Sequence, residues 1–165
     1  MKIGIILILS VLILDQGSKL FVMQTIAKTN ETIVALPNLL EFEFILNKNI
    51  SFGIPVPPFV IYAVILIALG VFIYLFKSVN FKTAKIFSVS VSLFIAGTTG
   101  NLIDRIIYGG VVDFIHHPFL GSIHRVLDFI YNFADLALNL AVVLFAIDVI
   151  FLEHKRKKHE TRENI

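Results

Sequence analysis

Apolar residues in this chain are gathered into four long runs, at about 3–26, 58–76, 84–108 and 131–152. Each run has about the 20 residues that an α-helix needs to cross the hydrocarbon core of a membrane. The core helices of a soluble domain would instead show apolar residues at intervals of three and four positions. The pattern therefore predicts an all-α integral membrane protein with four transmembrane helices.

The segments between these runs predict a small strand-containing region. The connection 27–57 is too long for a tight turn, and within it residues 40–46 alternate in polarity at Glu41 and Glu43. Such alternation is typical of a half-buried strand. Residues 111–114 form a second extended piece, because the glycines before them end the third helix. We expect the two connections, 27–57 and 109–130, to form an extracytoplasmic loop region.

Composition and charge agree with a membrane protein and predict its orientation. Hydrophobic residues make up 57% of the chain and charged residues only 16%, which lies outside the usual range of soluble domains. Lysine and arginine accumulate in cytoplasmic loops. On one side the chain has Lys2, Lys77, Lys82, Lys85 and a basic tail over 153–165, and on the other Lys28, Lys48, Arg105 and Arg125. We therefore expect one membrane domain over 1–152, with both termini and the tail in the cytoplasm.

The first apolar run could also be interpreted as a cleaved secretory signal. No small-x-small cleavage site follows it, and the chain becomes apolar again after the polar residues 15–19. We therefore expect it to be a retained span. The absence of cysteine from the sequence excludes disulfides, thiolate nucleophiles and cysteine-ligated metals.

Two aspartates, Asp113 and Asp135, stand at the edges of apolar segments. Carboxylates near hydrocarbon are costly, so several along one rim of a membrane protein indicate a function. Held close together, two carboxyls share a proton, and one can activate water while the other polarises a carbonyl. A structural interpretation stays open: Asn132 and Asp135 have the spacing of a helix cap with an acidic third residue, and Asp113 could face water in a loop.

Other polar residues lie within or beside the apolar runs. Asp15 and Lys19 are four residues apart and share a helical face. Asn101, Asp104 and Arg105 form a polar face at the end of the third run. Asp104 and Arg105 could form an ion pair that stabilises the helix end, and with Asp15 and Lys19 they could build a charged network.

Two further features receive no catalytic role. His116, His117 and His124 match no known metal-ligand spacing, and we expect them in an exposed loop. Asp148, deep in the fourth run, is expected to extend to the interface or to pair with a lysine such as Lys85. The triplet Asn49-Ile50-Ser51 matches a glycosylation sequon of the kind that is frequent by chance. No nucleic-acid-binding module is visible.

Four short boxes, in order along the chain, resemble the lipoprotein signal peptidase (signal peptidase II) family of bacteria. They read Asp-Gln-Gly-Ser-Lys at 15–19, Gly-Asn-Leu-Ile-Asp-Arg at 100–105, Val-Val-Asp-Phe at 111–114 and Asn-Phe-Ala-Asp at 132–135. A fifth box departs from the family, whose usual Asn-x-Gly-Ala-Ala-aromatic is here Asn-Lys-Asn-Ile-Ser-Phe at 47–52. By its spacing to the aromatic residue Asn47 takes the family's asparagine role, with Asn49 as the alternative.

The resemblance implies a membrane aspartic endopeptidase of the bacterial inner membrane, expected to act as a monomer. It would cut diacylglyceryl-modified prolipoproteins before the lipidated cysteine, without a metal or organic cofactor. Asp113 and Asp135 would be the catalytic dyad at the outer face. The substrate-binding or supporting residues would be Asp15, Lys19, Asn47, Asn101, Asp104, Arg105 and Asn132. The residues alone leave three other hypotheses open: a proton-coupled transporter, a membrane scaffold and a metal-dependent protease that uses the histidines.

Overall fold

Helices form most of the protein. The structure, a computed structural model, describes residues 1–29, 31–49 and 56–152, with only the backbone at Val126. The tail 153–165 and two residues of the sequon, Ile50 and Ser51, lie outside the described residues. The helices are α1 (Lys2–Gln24), α2 (Ile26–Thr29), α3 (Pro58–Phe76), α4 (Lys85–Tyr108), α5 (Pro118–Ile123) and α6 (Phe133–Ile147), which continues as a π-helical turn over Asp148–Leu152.

Four helical segments of the described chain are long and apolar enough to cross a membrane, as the sequence predicted. They are Lys2–Thr29, Pro58–Phe76, Lys85–Tyr108 and Phe133–Leu152. Large apolar side chains on α1, α3 and α6 are exposed, and Ile61 is the buried residue of α3. Such outward-facing apolar surface is what a lipid environment accommodates.

Helix α4 lies at the centre and packs most closely against α6. At Gly97 an added Cβ would lie 2.6 Å from the backbone carbonyl oxygen of Ala134, and it would also touch Leu138. At Gly100 it would lie 3.3 Å from the Cβ of Ala134. From Gly97 to Gly100 along α4, the contacts on α6 move back from Leu138 to Ala134, so the two helices are antiparallel. Small residues allow this close approach.

A four-stranded antiparallel sheet covers the end of the bundle where α4 stops and α6 begins. Its order is β1-β2-β3-β4, and its strands are Ile33–Leu36, Leu40–Asn47, Val111–His116 and Ile130–Tyr131. The predicted strand at 40–46 and extended piece at 111–114 are confirmed as β2 and β3. Strands β1 and β4 and helix α5 had not been predicted.

The sheet is fixed to the helices by an apolar cluster. Val22 and Ile26, at the end of the first span, pack with Val112, Phe114 and Ile115 of β3. Asp113 lies between Val112 and Phe114 on β3, and its side chain points to the face opposite to these two residues because side chains alternate across a strand. Its carboxyl lines a cavity and is not part of the apolar cluster.

Candidate active site

Asp113 on β3 and Asp135 in the first turn of α6 line the same cavity, which has a volume of about 640 Å³. Asn132 stands between them. Its side-chain Nδ2 donates to Oδ1 of Asp113 at 2.7 Å, and its backbone N–H donates to Oδ2 of Asp135 at 3.3 Å. The two aspartates, 22 positions apart in the sequence, therefore belong to one hydrogen-bonded group.

The Asp113 carboxyl is buried, with 3% of the residue exposed. Each of its oxygens accepts an amide hydrogen, one from Asn132 and the other from Nδ2 of Asn47 at 3.0 Å. Burial, together with the negative charge of Asp135, raises the pKa of Asp113 to about 7. The two amide hydrogen bonds oppose this rise without cancelling it. Asp113 is therefore placed to hold a proton near neutral pH, and it does not face water in a loop.

The Asp135 carboxylate is held at a helix N-terminus. Asn132 is the N-cap of α6, and its side chain accepts the N–H of Asp135 at 2.9 Å. The Nδ2 of Asn101 donates to Oδ1 of Asp135 at 2.8 Å. The positive end of the α6 dipole, at the helix N-terminus, stabilises a negative charge at this position. The prediction that Asn132 and Asp135 form a helix cap is thus correct, and Asp135 also lines the cavity.

Behind the cavity lies a buried charge cluster formed by Asp15, Lys19 and Asp104. Lys19 Nζ is 2.8 Å from Oδ2 of each carboxylate, and none of the three residues is more than 1% exposed. The network predicted with Asp15 and Lys19 is therefore present. The ion pair predicted between Asp104 and Arg105 is wrong for the described residues: adjacent residues on a helix point in different directions, and Asp104 faces Lys19.

The charge cluster connects to the backbone on both sides of the dyad. Oδ1 of Asp15 accepts the N–H of Ala134 at 2.9 Å, one residue before Asp135. Oδ2 of Asp104 accepts the N–H of Val112 at 3.0 Å, one residue before Asp113. Lys19 also donates to Oδ1 of Asn101 at 3.1 Å. The cluster thus holds the backbone of Ala134 and Val112, the residues that precede Asp135 and Asp113.

Asn47, Asn101 and Arg105 line the cavity beside the dyad. Arg105 donates from Nη1 to the backbone oxygen of Asn101 at 3.3 Å and from Nη2 to that of Asn49 at 3.2 Å. Of the two asparagines considered for the family position, Asn47 is the one whose side chain reaches Asp113. Asn49 contributes its backbone carbonyl. The cavity therefore has amide and guanidinium donors around two carboxyl groups.

Two contributors to the site were missed by sequence reasoning. Gln16 donates from Nε2 to Oδ2 of Asp15 and to Oδ1 of Asp104, both at 3.0 Å, and so bridges the two acids of the buried cluster. The Tyr62 hydroxyl donates to the backbone oxygen of Arg105 at 2.9 Å. The sequence held a signal for each of them. Gln16 lies inside the motif at 15–19, and Tyr62 carries a polar hydroxyl within the otherwise apolar run 58–76.

The histidines lie outside the cavity, and the exposed-loop prediction is wrong for two of them. His116 ends β3, half-buried, with Nε2 at 2.9 Å from Oδ1 of Asp128. His117, also half-buried, has Nδ1 at 2.6 Å from the Leu39 carbonyl and Nε2 at 2.7 Å from the Tyr131 hydroxyl. Strand pairing brings these partners together, which sequence spacing does not reveal. His124 is exposed.

A metal-binding cluster is absent from the described residues, and Asp148 is buried away from the cavity. Within the described ranges, no three His, Asp or Glu side chains are arranged to hold a metal ion. Asp148 is 1% exposed, at the start of the π-helical turn that follows α6. Its predicted extension to the interface is wrong because the side chain packs inside the protein. It follows Asp135 by 13 residues and does not line the cavity.

Comparisons with known proteins agree on one family. The profile of the family described as signal peptidase (SPase) II matches residues 7–151. A lipoprotein signal peptidase of Clostridium tetani is 35% identical over 148 residues, covering 88% of this chain and 91% of that protein. One of Fusobacterium nucleatum is 31% identical over 157 residues, covering 94% and 90%.

A solved structure gives the same result at the level of the fold. It is a bacterial membrane enzyme determined by the in meso method at 2.3 Å resolution, with a TM-score of 0.76 and 28% identity, covering 91% of this chain and 88% of that one. The resemblance inferred from the four sequence boxes is therefore confirmed. The chain belongs to the signal peptidase II family and is a multi-pass membrane protease of bacterial lipoprotein processing.

Proposed function

We propose that this protein is an aspartic endopeptidase that removes the signal peptide from prolipoproteins bearing diacylglycerol, cutting just before the lipidated cysteine. The observation that carries the proposal is the shared cavity: Asp113 and Asp135 both line it, and Asn132 is bonded to both. Membership of the signal peptidase II family supports the substrate class.

In the first step the two acids act on opposite sides of the scissile carbonyl. The ionised Asp135 takes a proton from a water molecule, whose oxygen attacks the carbonyl carbon. The protonated Asp113 gives its proton to the carbonyl oxygen, which becomes a hydroxyl. A tetrahedral diol results, with the proton now on Asp135 and the charge on Asp113.

In the second step the diol collapses. Asp113 takes back a proton from one hydroxyl, the carbon–nitrogen bond breaks, and Asp135 gives its proton to the leaving nitrogen. The products are a new carboxyl terminus on the signal peptide and a free amino group on the lipidated cysteine. Both acids return to their starting forms, so no proton is gained or lost by the dyad over one cycle.

The other polar residues have distinct roles in this proposal. Asn47, Asn101 and Arg105 line the cavity and orient the substrate backbone by donating hydrogen bonds. Asn132 holds the dyad together. The buried cluster of Asp15, Lys19 and Asp104 touches no substrate and fixes the positions of the two catalytic segments.

The walls of the cavity suit a substrate confined to the membrane. On one side they are formed by apolar residues of α3, including Val60, Ile61 and Val64. Burying apolar area against such a wall stabilises a bound lipid or apolar peptide by roughly 25 cal/mol per Å². The signal peptide and the diacylglycerol can therefore remain in an apolar environment while the scissile bond meets the dyad.

We place the dyad at the outer face of the bacterial inner membrane, with both termini in the cytoplasm and residues 1–152 as one membrane domain. The distribution of lysine and arginine supports this orientation. Because the chain has no cysteine, single-cysteine variants test it directly. A membrane-impermeant maleimide applied to intact cells should label Lys28→Cys and leave Lys82→Cys unlabelled; the opposite pattern would reverse the orientation.

A cleavage assay tests the activity itself. The purified protein is incubated with a synthetic prolipopeptide carrying diacylglycerol on its cysteine, and mass spectrometry locates the cut. We expect one cut directly before the lipidated cysteine, no cut in the unlipidated peptide, and an unchanged rate with a metal chelator, since a carboxylate activates the water. Cleavage at another bond, or inhibition by the chelator, would contradict the proposal.

A further inference from the structure

The cavity has a second polar position, one helical turn beyond the dyad. Thr98 on α4 and Asn139 on α6 line it there. Thr98 precedes Asn101 by three residues and Asn139 follows Asp135 by four, so the helical rise puts them about 4.5 to 6 Å further from the sheet. Because α4 and α6 are antiparallel and Asn101 is bonded to Asp135, both side chains lie at a similar depth.

The surroundings of this pair are apolar. Val64, Ile65 and Ala68 of α3 line the cavity as well. Within the described part of the chain, neither Thr98 nor Asn139 has a side-chain hydrogen bond, and Asn139 is exposed. A threonine hydroxyl and an asparagine amide together offer three N–H or O–H donors. Polar groups in hydrocarbon are costly without a partner, so a bound molecule is the natural source of one.

A signal peptide held at the dyad brings unpaired acceptors to this depth. The last four carbonyls of an α-helix have no partner within the helix. A peptide bond offered to the dyad must lie beyond the helix end, because inside the helix its carbonyl is already hydrogen-bonded. The residues before the cut then lead back toward the membrane, where no water is present to satisfy their carbonyls.

We propose that Thr98 and Asn139 form a carbonyl-binding subsite, which donates hydrogen bonds to the peptide carbonyls on the N-terminal side of the bond that is cut. The inference rests on the proposed function and adds a specificity element to the same cavity. The subsite recognises the backbone at the unwound end of the signal helix. It therefore stabilises the bound, extended form of many different signal sequences.

Substitutions that remove the donors test the subsite. Asn139→Leu and Thr98→Val should each lower kcat/KM for the diacylated prolipopeptide by about three- to tenfold, the loss expected for one uncharged hydrogen bond. Asn139→Gln, which keeps the amide, should recover part of that loss. Ser10→Ala is the matched control, since Ser10 is exposed on α1 away from the cavity, and its kcat/KM should not change.

A second substrate identifies the acceptor. In a prolipopeptide whose two acyl chains are joined to glycerol by ether bonds, the ester carbonyls are gone and the peptide carbonyls remain. If Asn139→Leu causes the same loss with this substrate, the peptide is the partner. Disappearance of the loss would assign the amide to the lipid ester and overturn the subsite, as would wild-type kcat/KM in both variants. A parent protein that cuts neither substrate would instead overturn the proposed function, and the subsite with it.

Discussion

The side-chain amide of Asn132 donates a 2.7 Å hydrogen bond to Oδ1 of Asp113. The same residue caps α6, because its side-chain oxygen accepts the N–H of Asp135. One asparagine therefore sets the positions of two carboxyl groups that come from a strand and from a helix. The two tasks use different atoms: the cap needs only an oxygen, and the bond to Asp113 needs the nitrogen.

This division of tasks predicts different results for two substitutions of Asn132. Asn132→Ser keeps a capping oxygen and should therefore be more stable than Asn132→Ala by about 1 kcal/mol, while kcat falls because Asp113 loses one of its two amide donors. Asn132→Ala loses both and should be less stable by about 1–3 kcal/mol. Thermal unfolding in detergent and the cleavage assay measure the two effects. Full activity of the serine variant would contradict the assigned role of the amide.

Removal of Lys19 should strongly destabilise the protein. Lys19→Met leaves the carboxylates of Asp15 and Asp104 buried without a cation, and breaking such a group costs about 3–5 kcal/mol. Thermal unfolding measures the loss. The double variant Lys19→Met with Asp104→Asn removes one of the unpaired charges and should recover part of the stability. A single variant as stable as the parent would show that the cluster does not hold the bundle.

The close packing of α4 on α6 makes Gly97 sensitive to a single methyl group. In Gly97→Ala the new Cβ would meet the carbonyl oxygen of Ala134 at 2.6 Å, so the helices must separate, at a cost of about 1–3 kcal/mol. Gly70→Ala is the matched control, since nothing lies within 4 Å of a Cβ at that helical position, and it should be neutral or slightly stabilising. Equal stability of the two variants would contradict the packing.

Activity should fall as the pH rises above neutrality. The pKa of Asp113 is raised to about 7 by burial and by the charge of Asp135, and the mechanism needs this group protonated. We expect kcat/KM to decline by about tenfold per pH unit above the pKa. A rate that continues to rise between pH 7 and 9 would exclude Asp113 as the acid.

The same pKa shift predicts the pH dependence of stability. The folded protein keeps a proton on Asp113 that the unfolded chain, with an ordinary pKa of 3.8, has already lost. Folding stability from this group is therefore complete below about pH 4 and decreases as the pH rises toward 7. Asp113→Asn should remove this component of the slope.

Much of the helical framework could be predicted from local sequence. The four long helices follow from apolar runs, strand β2 follows from the alternation around Glu41 and Glu43, and the cap at Asn132 follows from its spacing to Asp135. Strands β1 and β4 could not be predicted because they are short. Strand β4, Ile130–Tyr131, exists only by pairing with β3.

The site was predictable as a set of residue types and not as a set of contacts. The partner of Asp104 could not be chosen from sequence, because Arg105 is adjacent in the chain while Lys19 is adjacent in space. His116 and His117 were expected in a loop because their partners lie on other strands and connections. Tertiary packing determines such pairs, and local spacing carries no information about them.

The rates of Asp113→Asn and Asp135→Asn on the diacylated prolipopeptide test the central claim most directly. Asp128→Asn serves as the control, since its carboxyl is half exposed and lies outside the cavity. We expect either catalytic substitution to lower kcat by about 10²- to 10⁴-fold while the variant still inserts and folds, and we expect the control to keep its activity. Parent-like cleavage by either variant would contradict the paired action of the two acids.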